Sequence, residues 1–190
     1  MAIVKGMDLE KLEAFQASLK ETPVTLGLES KSAWEGHSGR NTTHIGPDEL
    51  GGQKIDRDTR RYTFSYGAWR EVEEAIGFVG STDQVEPVEM VLGAMGACLT
   101  NSIALNAPRH GIDLEGMEII VHADIDPSVL FEVKGPDQHG ACISNISCEV
   151  KVQGDLSQEQ LNTIQRLIDY SPVHGMVAHL NNITSKVSKA

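Results

Sequence analysis

Residues 86 to 110, EPVEMVLGAMGACLTNSIALNAPRH, constrain the fold more than any other part of the chain. Their pattern predicts one long, nearly all-apolar helix. Pro87 suits the first helical position, where a missing N–H costs nothing, and Glu86 and Glu89 place negative charge at the positive end of the helix dipole. Arg109, His110 and Gly111 mark its end: two side chains that favour a helix C-terminus precede a residue that accepts a left-handed cap. Between those ends, Val91, Leu92, Met95, Leu99 and Ile103 form one broad apolar face, while Gly93, Ala94, Gly96 and Ala97 leave the middle almost without side chains. Two glycines in a helix interior each cost roughly 1 kcal/mol relative to alanine, so close packing against another element is expected there. A second helix crossing this one is the simplest such element.

The chain has 190 residues and a net charge of −11, with no run of Lys and Arg dense enough for a phosphate-binding stripe. Nucleic acid is therefore not expected as a partner. The N-terminus, MAIVKGMDLEKLEAF, is interrupted by charge and lacks the apolar run of a signal peptide, and no segment is read as long enough to span a bilayer. The expectation is a cytoplasmic protein without a membrane partner. Three cysteines without a CxxC pair are read as reduced thiols.

Before the helix the period alternates between helix and strand. Asp8 to Lys20 carries Leu9, Leu12, Phe15 and Leu19 at helical spacing, with Asp8 as N-cap. Val24, Leu26 and Leu28 alternate with polar residues towards Trp34 as a strand. Gly36 and Gly39 flank a turn, Arg40 to Ile45 reads as a second strand, and residues 46 to 58 as a Gly- and Asp-rich loop. Tyr62, Phe64 and Tyr66 define a third strand, and Ala68 to Ile76 a short helix. After Gly111 come a strand with Met117, Ile119, Val121, Ala123 and Ile125 on one face, a brief strand at Val129 to Val133, and a strand over 141 to 153. In the last, Ile146, Cys148, Val150 and Val152 point one way. Ser157 caps a helix running to about Tyr170, whose core face carries Leu161, Ile164, Leu167 and Ile168; Ser171-Pro172 starts another, and Ile183 to Val187 is a last strand. This order predicts an α+β domain, with antiparallel sheets around a long central helix.

Cys98 is the sharpest candidate for chemistry. Reactive thiols need a nearby cation or helix N-terminus together with solvent access, and Cys98 lies mid-helix, so another element would have to supply the activation. The alternative is a small core residue. Cys142 and Cys148, six positions apart on one strand, are roughly 20 Å apart if extended and cannot pair with each other. The seven histidines show no HExxH or other tight ligand spacing, so neither a metal site nor a cofactor is expected.

The segment PVEMVLGAMGACLTNSIALNAPRHGIDLEGMEIIVHADID resembles the central signature of the OsmC and organic hydroperoxide resistance (OsmC-like) family, with its Pro-x-Glu start, small-residue helix, Ala-Cys and following Gly-Ile strand. Trp34-Glu35-Gly36 and Ser38-Gly39-Arg40 resemble the family's first hairpin. The resemblance covers residues 24 to 188 and divides the chain into an N-terminal amphipathic helix extension, 1–22, and an OsmC-like domain, 23–190. It implies an intertwined homodimer with the two central helices packed together.

It also implies a chemistry. In family members that reduce organic hydroperoxides, a helix thiolate attacks the O–O bond and becomes a sulfenic acid, and a Cys-Pro cysteine resolves it as a disulfide. Cys98 matches the attacking cysteine, but Ser171 stands before Pro172 where the resolving cysteine would be. The implied activity is that of a one-cysteine hydroperoxide reductase served by an external thiol reductant. Arg40 matches the activating arginine, with Arg60 and Arg61 as competitors. Glu89 matches the family glutamate, although the acid of the hydroperoxide-reducing branch directly follows the proline, where Val88 stands here. Ser171 and His174 would line the substrate pocket; otherwise Ser171 is simply a helix cap. The alternative function is a non-catalytic binding protein for a small hydrophobic ligand on the same fold.

Overall fold

The computed structural model describes residues 3–179 except Ser38, Ser81 and 139–141, together with Ile183 and Ser185. The chain forms two units, Met1–Met90 and Val91–Ala190. In the first, a small hairpin, β1 (Ile3–Val4) and β2 (Met7–Asp8), leads into helix α1 (Leu9–Glu21). The Asp8 carboxylate accepts from the backbone N–H groups of Glu10 at 3.1 Å and Lys11 at 3.2 Å, which starts the helix where the sequence predicted.

Six short strands follow: β3 (Leu26–Gly27), β4 (Ser30–Trp34), β5 (Asn41–Ile45), β6 (Asp48–Leu50), β7 (Gln53–Ile55) and β8 (Tyr62–Tyr66). They build two antiparallel three-stranded sheets, ordered β3-β6-β7 and β4-β5-β8. Residues 46 to 58 are thus not the loop their glycines suggested. Gly51 and Gly52 have φ of +56° and +79° and form the tight turn of the β6–β7 hairpin, a geometry that glycine adopts without steric cost. Helix α2 (Arg70–Ala75) closes this part of the chain.

The central helix α3 (Pro87–Asn106) continues as a 3-10 turn, Ala107–His110, and stops at Gly111, whose φ of +66° is the predicted left-handed cap. Its start is a reciprocal cap. The Glu86 carboxylate accepts from Val88 N–H at 2.6 Å, and Glu89 reaches back to accept from Glu86 N–H at 3.0 Å.

In the second unit, strands β9 (Gly116–Ile125) and β10 (Ile143–Gln153) pair antiparallel. Helix α4 (Gln158–Leu167) begins with a capping box between Ser157 and Gln160, and α5 (Pro172–Ala178) follows a 3-10 turn, Ile168–Tyr170. Ile103, Ala107, Ile112, Ile164 and Leu167 form the buried core, with Met117, Ile119, Val150 and Val152 packed against it. Leu161, expected on the core face of α4, remains 36% exposed.

Two further expectations are corrected here. Val129 to Val133 is a chain of turns, not a strand: the Asp126 carboxylate captures Ser128 N–H at 2.9 Å, and Phe131 and Val133 donate back to the carbonyls of Pro127 and Ser128. Local hydrogen bonds have taken the groups a strand would need. In β10 the register shifts between Ser144 and Ser147, where Asn145 has φ of +50°, so Ile146 falls out of the ladder and stays 43% exposed. The expected last strand, Ile183 to Val187, lies largely outside the described residues. The architecture is α+β, with antiparallel sheets and one long central helix.

Candidate functional site

The residues of α3 face two different environments. Met95, Leu99, Ser102 and Ile103 are buried on one stripe at helical spacing. Ser102 Oγ donates to the Leu167 carbonyl at 3.0 Å and ties the helix to the end of α4. On the other side Val91 is 42% and Leu105 50% exposed, and Ala94, Ala97 and Ala104 are exposed as well. The expected close packing at the helix glycines is not met among the described residues. A Cβ on Gly93 would touch nothing within 4 Å, and one on Gly96 would touch only Val121, at 3.6 Å.

The stretch Pro87–His110, 24 residues, is also long and apolar enough to cross a bilayer, which corrects the expectation that no segment is. Only 22% of its most apolar window is buried within the chain.

Cys98 sits on this helix, partly exposed. Glu89 lies nine positions earlier, which on a straight helix is about half a turn round and about 13 Å along the axis. Its side chain is engaged in the helix cap. Ser171 is 1% exposed, and its Oγ accepts from His174 N–H at 3.3 Å, so the structure joins these two predicted residues through a cap. His174 itself is half-buried. Of the other thiols, Cys142 donates to the Asp126 carbonyl at 3.2 Å, and burial pushes the Cys148 thiol up.

Arg40 belongs to the first unit and follows the Gly36–Gly39 turn. It donates from Nη2 to the Gly80 carbonyl, and its Nε is enclosed with no partner among the described residues. Its neighbour Glu73, on α2, is 0% exposed and is not among the residues the sequence singles out. This carboxylate accepts from Thr82 N–H at 2.7 Å and from Thr82 Oγ1 at 3.4 Å. The Thr82 N–H hydrogen bond is the main cause that holds the Glu73 carboxyl below its ordinary range, against burial; Asp83 N–H and the Arg40 charge add to it. Gly67 is required beside this group, because a Cβ there would come within 2.9 Å of Gln84 and 3.5 Å of Glu73. The sequence signal was weak: one of three glutamates in a short helix, REVEEA, distinguished only by its spacing from Thr82.

Arg60 and Arg61, the competing arginines, are committed elsewhere: Arg60 forks onto Asp48, and Arg61 bridges Asp56 and Asp58. Among the described residues no group of three His, Cys, Asp or Glu could hold a metal ion.

A family model described as OsmC-like protein matches residues 80–186, more than half of the chain, and the chain belongs to the OsmC-like family. No curated protein matches the sequence. Among solved structures, an OsmC-like protein from Mycoplasma pneumoniae aligns with a TM-score of 0.55 at 11% identity, over 80% of this chain and 86% of that one. An organic hydroperoxide resistance protein OsmC from Legionella pneumophila aligns with a TM-score of 0.50 at 13% identity, over 79% and 88%. At such identities the likeness shows the fold, which is the OsmC-like fold.

Proposed function

We propose that this protein reduces organic hydroperoxides with a single cysteine, Cys98, and an external thiol as its reductant. The observation that carries this reading is the family match over residues 80–186, a span in which Cys98 sits partly exposed on the central helix. The Legionella protein of the same fold is an organic hydroperoxide resistance protein, which supports the substrate class.

In the proposed cycle the Cys98 thiolate attacks one peroxide oxygen. The O–O bond breaks, sulfur becomes the sulfenic acid Cys98–SOH, and the leaving alkoxide takes a proton to become an alcohol. A thiol from solution then attacks the sulfenic sulfur and releases water, and a second reduces the mixed disulfide, returning the thiol of Cys98. Ser171, in the place of a resolving cysteine, cannot form the internal disulfide. Its buried cap with His174 keeps a structural use for the position. Arg40 is the proposed activating cation, and Glu73, not Glu89, is its proposed positioning residue. The support is that the buried Glu73 carboxyl, held low chiefly by the Thr82 N–H and in smaller part by the Arg40 charge, is the acid that feels this arginine, while Glu89 is taken up by the helix cap.

The working form in this proposal is a cytoplasmic homodimer, and covering the open side of α3 with a second copy would supply the packing that Gly93 lacks. Helix α1 buries none of its residues, which supports reading 1–22 as an extension of the domain 23–190. The test is the rate at which Cys98 loses its free thiol to cumene hydroperoxide in a C142S/C148S protein. Fast loss with a trappable sulfenic acid is the expected result. A rate no faster than that of a small-molecule thiol would remove the proposal.

A further inference from the structure

The chain is strongly acidic, yet five of its sixteen Lys and Arg side chains line a single open cavity of about 400 Å³ in the first unit, against one of its 27 Asp and Glu. The linear sequence shows no such density, because Lys31 is distant and Asp56 and Asp58 interrupt the run from Lys54 to Arg61. Folding gathers them. In the β4-β5-β8 sheet Lys31, His44 and Thr63 stand side by side in register, and β7 with the segment after it brings Lys54, Arg57, Arg60 and Arg61 to the same cavity.

The cations are not equivalent. Arg60 is fixed by Asp48, a carboxylate only 6% exposed that accepts from Nε at 2.9 Å and Nη2 at 2.6 Å. Arg61 is held by Asp56 at 2.9 Å and Asp58 at 3.3 Å, and Lys31 lies 3.4 Å from Glu29. Lys54 and Arg57 form no ion pair among the described residues, although Lys54 is close enough to Asp56 to help lower its carboxyl after Arg61. Two uncommitted cations beside a fixed guanidinium match a dianion, and Arg and Lys together are the usual donors to phosphate oxygens. Beside the polar His44, Thr63 and Asp56, the lining carries apolar and aromatic side chains: Ile45, Pro47, Ile55 and Tyr62, whose ring centroid lies 5.8 Å from the Arg60 guanidinium carbon. The cavity falls in the size range of small-molecule sites, about 300–1,000 Å³, with room for more than a bare ion.

We propose that this cavity binds a small organic phosphate, with the phosphate on Lys54 and Arg57 and the organic body against Tyr62 and Ile55. The site is independent of Cys98 and does not rest on the peroxide reading.

The experiment is calorimetric titration of the full chain with phenyl phosphate, inorganic phosphate and benzyl alcohol. Wild type, Lys54→Gln/Arg57→Gln and a control, Lys20→Gln on α1, are compared. Expected are saturable binding of phenyl phosphate with a Kd below about 1 mM, weaker binding of inorganic phosphate and none of the alcohol. The double variant should lose about tenfold or more, while Lys20→Gln stays near wild type. Raising salt from about 50 to about 200 mM should weaken binding several-fold, because exposed charges are screened. Arg57→Lys, which keeps the charge without the fork, should fall between wild type and the double variant. No saturable binding, equal affinity for phenyl and inorganic phosphate, or an unchanged affinity in the double variant would overturn the proposal. Both substituted side chains are exposed, and unchanged circular dichroism of the variants separates lost binding from lost folding.

Discussion

The two units of this chain are held together by different physics. Every buried hydrophobic side chain among the described residues lies in the second unit: Met95, Leu99, Ile103, Ala107, Ile112, Ile164 and Leu167. In the first unit the buried side chains are polar, namely Thr43, Asp48 and Glu73, while Leu28, Trp34 and Trp69 stand 76%, 71% and 51% exposed. Among the described residues, the three enclosed polar atoms that lack a partner, on Arg40, Asp48 and Gln84, are in the first unit as well. A single copy of the chain thus packs an apolar core against one face of α3 and leaves the sheets of its N-terminal half resting on hydrogen bonds and ion pairs. Enclosed polar atoms without partners cost free energy, and so do large apolar side chains in water.

The largest effect that can test this contrast is truncation in the core. Leu99 is 0% exposed, so Leu99→Ala should lower the unfolding free energy by about 3 kcal/mol, measured by urea denaturation. The same truncation at Leu28, 76% exposed, should cost no more than about 0.5 kcal/mol. A loss at Leu28 as large as at Leu99 would break the comparison, because it would place that side chain under cover in the working assembly.

Glu73 is the corresponding test for the first unit. Its carboxyl is held below the ordinary range when folded, chiefly by the Thr82 N–H hydrogen bond. A lowered folded value means the contribution is fully present above the unfolded pKa, about 4.3, and is lost as pH falls through the folded value. Hydrogen exchange of Thr82 N–H and of Phe78 N–H, which donates to the Glu73 carbonyl at 2.8 Å, should therefore accelerate over its base trend below about pH 4. Helical amides around Ile103 and Ile164 should not. The β9–β10 end of the second unit is no reference here, since Lys134 and then Ser128 hold the Asp126 carboxyl low. Glu73→Gln should flatten the acid limb at Thr82; an unchanged limb would show that another group carries it.

Most of the architecture was legible in the sequence because caps and periodicity are local. Asp8 and Ser157 through a side-chain oxygen, Pro87 through its ring and Gly111 through its left-handed backbone mark helix ends within four residues of themselves, and each stands at that end in the structure. Where the reading failed, a competing local hydrogen bond decided, as at Asp126 and Ser128, or one extra residue changed the parity of a strand, as at Asn145. The hairpin at Gly51-Gly52 looks like loop in the sequence because glycine marks both. The sites were less legible for a different reason. Cys98 and Ser171 stood out through a family pattern, whereas Glu73 and the cations around Lys54 acquire their surroundings only when residues 9 to 30 positions away fold against them.

The smallest effects should come from the caps, and they separate the two units again. Ser157 and Asp8 make the same kind of contact, a side-chain oxygen accepting from backbone N–H groups of the first helical turn. Loss of such a cap costs typically about 1 kcal/mol. Ser157 caps α4, which buries Thr163, Ile164 and Leu167, so its helix cannot fray without opening the core. Ser157→Ala should accordingly lower the global urea midpoint, at an unchanged m-value, by the equivalent of about 1 kcal/mol. Asp8 caps α1, which buries nothing. Asp8→Ala should leave the midpoint where it is and show only as faster amide exchange along α1, because a helix without buried contacts unfolds by itself. A shift of the midpoint by Asp8→Ala would mean that α1 is tied to the rest of the protein, and would end its description as an appendage.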